Sequence, residues 1–257
     1  DSWIYRYYSF LLNEKYNEQL NKKKIGNVVA AYRTSLGKSN INFAYDAFDF
    51  LQKHQPCYVL IEDFKDFFDQ LDHAYLKKQL CNLMGVEKLP DDYFAVFKNI
   101  TRFSYCELDE ILKDNGLEIN KKSRKELFKK RKFCPLMNLT IILEIKKSIK
   151  IIVLTKKIFK NKNGYGIPQG SPISGTLANI YMLEIDKIIA EYIDNLNGYY
   201  IRYSDDFIII IPNVNKEFNL IYDYLKQIFE HKSSKTNRYL VNLQPEKTQI
   251  FYFDKIS

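Results

Sequence analysis

Cysteine is scarce in this chain of 257 residues, and the few cysteines present are far apart. Cys57, Cys81, Cys106 and Cys134 form no Cys-x-x-Cys pair. Closely spaced cysteines are the usual sign of a structural zinc site or of a disulfide framework. Their absence argues against both, and it favours reduced thiols in a cytoplasmic protein.

Long apolar runs are lacking as well. The most apolar stretch, residues 140–154, contains Glu144, Lys146, Lys147 and Lys150, so it does not reach the length of an uncharged membrane span. The first residues show no basic segment followed by an apolar one, which argues against a secretion signal. We therefore expect no membrane partner. Because the sequence starts with Asp1 and not with Met, we also expect it to be a piece of a longer protein.

Basic and aromatic residues are abundant instead. The chain has 39 Lys and Arg against 31 Asp and Glu, a net charge of +8, and it contains 20 Tyr and 18 Phe. Basic residues cluster at 22–24, 121–132, 146–162 and Lys247, with aromatic residues between them. Lys and Arg bind phosphates by releasing counterions, and aromatic rings stack on bases. A nucleic-acid partner is one interpretation, and a solubilising basic surface is the other.

Two adjacent aspartates lie between apolar segments at residues 200–211. Ile, Tyr and Phe on either side favour extended strands, and the polar break at Ser204, Asp205 and Asp206 suits a hairpin turn. Adjacent carboxylates repel each other unless a cation lies between them, which indicates a metal site. The alternative is an ordinary Asp-containing turn, because Asp adopts turn geometry readily.

A third aspartate follows a separate predicted strand. Asp63 comes just after the short apolar run at 57–61, and a carboxylate at that place faces the crevice at the end of the sheet. By contrast, Asp69 and Asp72 precede a helical stretch that ends near Gly85, so we interpret both as helix caps. Carboxylates from separate strands can hold two Mg²⁺ ions for a phosphoryl transfer. The residues alone therefore indicate metal-dependent phosphoryl transfer on a basic protein.

The rest of the chain is assigned by its periodicity and its turn residues. A rigid loop at 164–172, with three Gly and two Pro, brings its backbone close to a ligand. A hairpin is predicted at 151–166, and two short strands are predicted around 244–247 within residues 238–253. Residues 103–150 are predicted to be mostly helical and very basic. Further helices are predicted at 1–24, from a Ser39 cap to about Lys53, from Pro90 to about Arg102, from a Ser174 cap to about Asn195, and at 215–231.

Four segments of the chain resemble the palm motifs of reverse transcriptases, in the same order. Residues 63–73 resemble the first motif, and residues 166–181 resemble the second. The run Tyr203-Ser204-Asp205-Asp206 resembles the Tyr-x-Asp-Asp motif, and residues 243–248 resemble the Glu-Lys-Thr segment of the fourth. The resemblance extends over about residues 27–253. Four ordered motifs at palm-like spacing are far more specific than Tyr-x-Asp-Asp alone.

This resemblance implies a metal centre. Asp63, Asp205 and Asp206 would hold two Mg²⁺ ions, with Mn²⁺ as a substitute, and the Phe64 carbonyl would assist them. Lys247 would donate a proton to the pyrophosphate that leaves, and the alternative for Lys247 is a solvated surface lysine.

The resemblance also implies nucleotide-binding residues. Phe68 would lie beneath the sugar and exclude a 2′-hydroxyl, which would favour deoxynucleoside triphosphates; its alternative role is that of a core residue. Gln169 would line the nucleotide and template pocket. Arg33 and Lys38 lie in a segment that resembles the second finger motif, and they would contact the nucleotide.

The fold implied by the resemblance is the α+β right-hand fold of polymerase fingers and palm. Its antiparallel palm sheet would carry the acidic residues, and its fingers would be mostly helical. Residues 1–55 would form the first finger helices, 56–102 the first part of the palm, 103–166 a basic helical insertion in the fingers, and 167–257 the second part of the palm. A thumb should follow Lys247, and we expect it to be absent from this segment.

Within the family, residues 31–40 and the basic insertion at 103–150 resemble bacterial antiphage-defence and abortive-infection reverse transcriptases more than retroviral ones. This subgroup implies an RNA template, a DNA product, a noncoding RNA partner, priming by a nucleic acid or by a protein hydroxyl, and oligomers in some members. Two alternatives stay open: template-independent DNA synthesis by the same palm site, and an RNA-binding scaffold with a vestigial palm.

Overall fold

The computed structural model of the chain describes residues 2–33, 36–106, 158–213 and 217–254. The chain divides into two compact units. The larger unit consists of Ser2–Thr101 and Asn163–Ser257, and the smaller one contains residues 102–162. All four motif segments lie in the larger unit.

Helices precede, separate and follow the strands. In the larger unit the helices are α1 (Ser2–Lys22), α2 (Asn40–Lys53), α3 (Phe67–Gln70), α4 (His73–Met84), α5 (Asp91–Thr101), α6 (Ser174–Asn195) and α7 (Phe218–Phe229), and a 3-10 turn spans Pro245–Lys247. The strands are β1 (Cys57–Asp63), β4 (Tyr199–Tyr203), β5 (Asp206–Pro212) and β6 (Gln249–Phe253) in the larger unit, and β2 (Ser104–Tyr105) and β3 (Phe159–Lys160) in the smaller one.

The centre of the larger unit is an antiparallel sheet with the strand order β4-β5-β1-β6. Strand β1 pairs with β5 over seven residues, from Cys57 opposite Pro212 to Asp63 opposite Asp206. On its other side, β1 pairs with β6 from Cys57 to Ile61. The first motif strand therefore lies in the middle of the sheet. This mixed α/β architecture with an antiparallel sheet confirms the predicted fold class.

Apolar side chains alternate between the two faces of this sheet, as the period of a strand requires. Leu60 and Ile209 belong to the main core, whereas Val59 and Ile210 belong to a smaller cluster with Ala47 of α2. Helix α6 contacts α1, α4, α7 and β4, and it carries most of the buried residues on the first face. The central strands β1 and β5 are therefore mostly buried, whereas all five residues of the edge strand β6 are exposed.

The helix caps partly match the predictions. Asp72 caps α4, and its Oδ1 atom accepts a hydrogen bond from the backbone N–H of Tyr75 at 2.8 Å. Asp69 does not cap that helix, because it lies inside the short helix α3. Ser174 is the first residue of α6 and not its cap. Its hydroxyl donates instead to the Pro168 carbonyl at 2.6 Å, which ties the helix to the preceding loop.

Two predicted helices differ in how they are buried. Helix α2 begins after Ser39 as predicted. Ile41, Tyr45 and Phe48 lie at helical spacing on this helix, but they are exposed. Helix α7 instead buries one apolar stripe in the core, formed by Phe218, Ile221, Leu225 and Phe229.

The last segment of the chain differs from its prediction. Residues 238–253 contain one strand, β6, and not two; before it, only isolated bridges pair Lys232 with Tyr239 and Leu243 with Phe64. In the smaller unit, β2 pairs antiparallel with β3. The predicted helices at 103–150 and hairpin at 151–166 fall largely on residues 107–157, which lie outside the described ranges. None of the helices within those ranges is long and apolar enough to cross a bilayer.

Candidate active site

The register of the sheet brings the three predicted aspartates to one edge. Asp63 ends β1 and lies directly opposite Asp206, the first residue of β5. Strands β4 and β5 are joined by Ser204 and Asp205 alone, since Tyr203 pairs with Asp206. Side chains directly opposite each other across antiparallel strands have Cβ atoms about 5 Å apart. Three carboxylates from two strands and one turn therefore share this edge.

A tight turn holds Asp205 in place. Ser204 adopts a left-handed backbone with a φ of 63°, which a two-residue hairpin turn requires and which is uncommon for residues other than Gly. The backbone N–H of Phe64 donates to the Asp205 carbonyl at 3.0 Å, so the turn is fastened to the end of β1. Phe64 itself is buried in the core, and its ring packs against Phe207.

Lys247 reaches the same edge from the 3-10 turn. Its Nζ atom donates to Asp63 Oδ2 at 2.5 Å. The turn is anchored nearby, because the backbone N–H of Gln244 donates to the Asp63 carbonyl at 3.0 Å. The hydrogen bond to Asp63 and the negative charge of the three carboxylates raise the pKa of Lys247. The raised pKa keeps Lys247 protonated at neutral pH.

The acidic edge suits a divalent cation in its chemistry. Asp63 Oδ1 is buried and has no hydrogen-bond partner among the described residues, although its carboxylate is a strong acceptor. Burial raises the pKa of Asp206, and the charges of Asp205 and Asp63 add to this; Asp206 keeps an exposed surface, so water moderates the rise. A bound cation would pair with the Oδ1 atom of Asp63 and would favour the ionised form of Asp206.

The edge is nevertheless not closed around a cation. Within the described ranges, no group of three His, Cys, Asp or Glu side chains is arranged as a metal site. The Lys247 ammonium supplies the positive charge at Asp63 instead. Metal binding at Asp63 would use the unpartnered Oδ1 atom, since Lys247 occupies Oδ2.

The glycine-rich loop is fastened along the first motif. The backbone N–H groups of Gly166 and Ile167 donate to the carbonyls of Leu71 and Phe68, both at 2.9 Å. Gly166 has a φ of 87°, and a Cβ there would lie 2.9 Å from the Asp69 carbonyl, so the close approach requires glycine. Gln169 lies at the exposed tip of this loop. The structure thus places the segments of Phe68 and Gln169 side by side.

Phe68 has a neighbour that the sequence did not single out. Phe68 is buried, and the ring of Tyr32 meets it edge to face with the centroids 6.4 Å apart. The Tyr32 hydroxyl lies 3.0 Å from the hydroxyl of Ser204 in the Ser204–Asp205 turn. Tyr32 is thus in contact with both the predicted sugar gate and the Asp205 turn. Its position in a loop gave no periodic signal for this.

The two predicted finger residues lie apart from the acidic edge. The Arg33 guanidinium donates to the Asn17 side chain at 3.0 Å and to the carbonyls of Gly26 and Val29. Lys38 forms an exposed ion pair with Asp46 at 2.8 Å. Neither side chain is brought to the carboxylates, and the roles of both in nucleotide binding stay predictions.

A buried ion pair supports the turn from below. Arg202 and Asp186 are fully buried, and the guanidinium donates to both carboxylate oxygens at 2.9 and 2.6 Å. Its Nη1 atom donates to the Ser204 carbonyl at 2.8 Å, and Tyr200 donates to Asp186 at 2.8 Å. Asn179 accepts from Arg202 and donates to the Ala31 carbonyl at 2.9 Å. Sequence patterns missed this network because its members are far apart in the chain.

The fold and this site define the class as the fingers and palm of a polymerase. The family model described as "Reverse transcriptase (RNA-dependent DNA polymerase)" matches residues 124–256, just over half of the chain. The chain belongs to this reverse transcriptase family. The matched residues include Asp205, Asp206, Gln169 and Lys247. The prediction of an RNA-directed DNA polymerase, a nucleotidyltransferase, is confirmed at the level of the family.

Solved structures show the same fold over nearly the whole chain. Telomerase from Candida albicans, solved with a fragment of telomeric RNA, aligns with a TM-score of 0.53 at 16% identity over 95% of this chain and 35% of that one. Apo telomerase from Candida tropicalis gives a TM-score of 0.50 at 18% identity, over 94% and 36%. The chain thus spans about a third of the length of these telomerases. No curated protein matches the sequence.

Proposed function

We propose that this protein is an RNA-directed DNA polymerase. It adds deoxynucleotides to a primer 3′ end, or to a protein hydroxyl, and releases pyrophosphate. The observation that carries the proposal is the register that sets Asp63 opposite Asp206 beside Asp205. Membership of a family described as RNA-dependent DNA polymerases supports the choice of template and product.

In this proposal the three carboxylates hold divalent cations, as the family generally requires. Two bound Mg²⁺ ions would lower the pKa of the attacking hydroxyl and neutralise the charge that develops on the phosphates. Asp63 would offer the unpartnered Oδ1 atom, and Asp205 and Asp206 would offer their carboxylate oxygens. The Phe64 carbonyl would assist from the adjoining backbone, which is hydrogen-bonded to Asp205.

The chain's own groups would guide the bond changes. The primer hydroxyl releases its proton to water and its oxygen attacks the α-phosphorus. The bond from that phosphorus to the bridging oxygen breaks, and pyrophosphate leaves with a proton that Lys247 donates. Phe68 would exclude the 2′-hydroxyl of a ribonucleotide, and Gln169 would line the nucleotide and template pocket.

For the biological setting we propose a noncoding RNA template and a role in bacterial antiviral defence. Support comes from the resemblance of residues 31–40 and 103–150 to defence-type reverse transcriptases. The net charge of +8 suits an RNA partner. We also retain the proposed division into fingers at 1–55 and 103–166 and palm at 56–102 and 167–257.

The proposal is tested with the full-length protein, purified with the nucleic acid it carries. Mg²⁺ and each labelled deoxynucleotide are supplied, and the products are digested with RNase or DNase and sequenced. The variant Asp205→Ala with Asp206→Ala runs alongside. DNA that is complementary to a bound RNA, and that the double variant does not make, is the expected result.

Other outcomes separate the alternatives. DNA whose composition ignores the bound RNA would establish template-independent synthesis by the same site. Full incorporation by the double variant would refute the assignment of the aspartates. No product from the unaltered protein, together with RNA binding that weakens steeply with salt, would identify an RNA-binding scaffold.

A further inference from the structure

Tyr32 lies beside the predicted sugar gate, and it is not among the residues to which the resemblance gives a role. Nearly half of its surface is exposed, at 46%, although one edge of the ring packs on Phe68 and the hydroxyl contacts Ser204. An exposed aromatic ring beside a predicted sugar gate is available to a ligand.

The surroundings of Tyr32 are built to hold it there. A Cβ at Gly175 would lie 2.5 Å from the Tyr32 ring, so the ring fills the space that glycine leaves at the start of α6. Any side chain at position 175 would collide with the ring and displace it. The contact joins Tyr32 to the second motif, whereas Phe68 and Ser204 belong to the first and third.

The backbone around Tyr32 is strained and fastened on both sides. Tyr32 has a φ of 59°, a left-handed conformation that a bulky residue seldom adopts. Such strain persists only where the surrounding contacts impose it, and it is concentrated at functional sites. On one side, the Ala31 carbonyl accepts from Asn179; on the other, the Arg33 guanidinium donates to Gly26 and Val29. These hydrogen bonds hold the Tyr32 side chain beside Phe68 and Ser204.

We propose that Tyr32 is a specificity-determining residue of the nucleotide pocket. Its ring forms, with Phe68, the wall against which the sugar of the incoming deoxynucleoside triphosphate rests, and its hydroxyl bond to Ser204 holds that wall at a fixed distance from the catalytic turn. The inference rests on the proposed polymerase function. It adds Tyr32 to the predicted nucleotide-binding residues, beside Arg33 and Lys38 of the same finger segment.

Four variants of the full-length protein test this role. Tyr32→Ala removes the ring, Tyr32→Phe removes only the hydroxyl, and Gly175→Ala displaces the ring while every atom of Tyr32 remains. Tyr45→Ala removes a tyrosine that is 69% exposed on α2, and it serves as the matched control. The melting temperature of each variant is measured first, so that only folded variants are compared.

The readout is the Kd for a deoxynucleoside triphosphate and for the matching ribonucleoside triphosphate, with Mg²⁺ present, alongside KM and kcat. Binding requires no turnover, so a failure of the proposed reaction is distinguishable from a failure of this inference. We expect Tyr32→Ala to weaken deoxynucleotide binding roughly 3- to 10-fold, the value of an aromatic contact, and to reduce the preference for deoxynucleotides. Gly175→Ala should also weaken deoxynucleotide binding and reduce the preference for deoxynucleotides. Tyr45→Ala should change neither of these quantities.

The double variant Tyr32→Ala with Gly175→Ala sharpens the test. If the two residues act through one ring, the double variant should bind no more weakly than Tyr32→Ala alone. Tyr32→Phe should keep most of the preference for deoxynucleotides. Unchanged nucleotide binding and sugar preference in Tyr32→Ala would overturn the proposal, and equal losses in Tyr32→Phe and Tyr32→Ala would show that the hydroxyl, and not the ring, makes the contact.

Discussion

The acidic edge and the Arg202–Asp186 ion pair both meet the β4–β5 hairpin, yet they are built in opposite ways. In the ion pair, each nitrogen of the Arg202 guanidinium donates a hydrogen bond, and neither Arg202 nor Asp186 is exposed. At the edge, Asp63 Oδ1 is unpaired among the described residues, and Asp206 is exposed. The hydrogen bonds of the buried pair are thus satisfied, whereas the carboxylates of the acidic edge are only partly paired.

The contrast predicts different responses to mutation. A buried pair in a medium of low dielectric tolerates the loss of one partner badly, because the other charge stays buried and uncompensated. A half-exposed carboxylate cluster loses little stability, because water replaces what is removed. Substitutions in the ion pair should therefore mainly lower stability, and substitutions at the acidic edge should mainly lower activity.

The largest effect is expected from Arg202→Met. The uncompensated Asp186 should lower the free energy of unfolding by about 3–5 kcal/mol, which urea denaturation measures. Replacing both partners, as in Arg202→Met with Asp186→Leu, should recover much of the loss. Tyr200→Phe, which removes one hydrogen bond to Asp186, should cost only about 1 kcal/mol. If Arg202→Met alone were as stable as the unaltered protein, this account of the network would be wrong.

Lys247→Met should reduce activity with little change in stability. If Lys247 donates the proton to pyrophosphate, kcat should fall about 10²–10⁴-fold, the usual contribution of a general acid. The lysine is largely exposed, so the melting temperature should stay close to that of the unaltered protein. Lys247→Arg keeps the charge and is the control. An unchanged kcat in Lys247→Met would favour the solvated surface lysine.

Asp206→Asn should abolish incorporation and yet stabilise the fold slightly. Burial and the charges of Asp205 and Asp63 disfavour the ionised Asp206, so removing its charge relieves repulsion. After screening by water we expect a gain of at most about 0.5 kcal/mol near pH 7. The gain should vanish in acid, where Asp206 is protonated in both states. A clear loss of stability would show that the edge is structural.

The smallest effect concerns His73 at the glycine-rich loop. Its Nε2–H donates to the Gly166 carbonyl at 2.7 Å, and burial lowers the pKa of the ring. The folded state thus disfavours the charged imidazole. Neutral His73 therefore stabilises the folded protein at a pH above the ordinary pKa of about 6.5. This stabilisation is lost as the pH falls through the lower pKa that His73 has in the folded protein. Between pH 7.5 and pH 5.5, the unaltered protein should lose about 1–2 °C more than His73→Gln, measured by thermal denaturation.

Local patterns in the sequence predicted the strands that carry the aspartates, because alternation and turn residues are local signals. Asp63, Asp205 and Asp206 could be named from the residues around them, and the structure places them together. Tyr32 could not, because its contacts with Phe68, Gly175 and Ser204 join segments up to 172 residues apart. The exposed face of α2 was missed for the same reason: the spacing of Ile41, Tyr45 and Phe48 predicts a helix but does not say what covers it.

The pairing of β1 with β5 has a consequence for how this chain can change over evolution. Side chains of a strand alternate faces, so adding or deleting one residue between Cys57 and Asp63 would turn Asp63 away from Asp206 and exchange every apolar contact along the strand. Substitutions within the strand alter one contact at a time. We therefore expect insertions and deletions to be excluded from β1 and β5 far more strictly than substitutions, so that the number of residues is itself under selection.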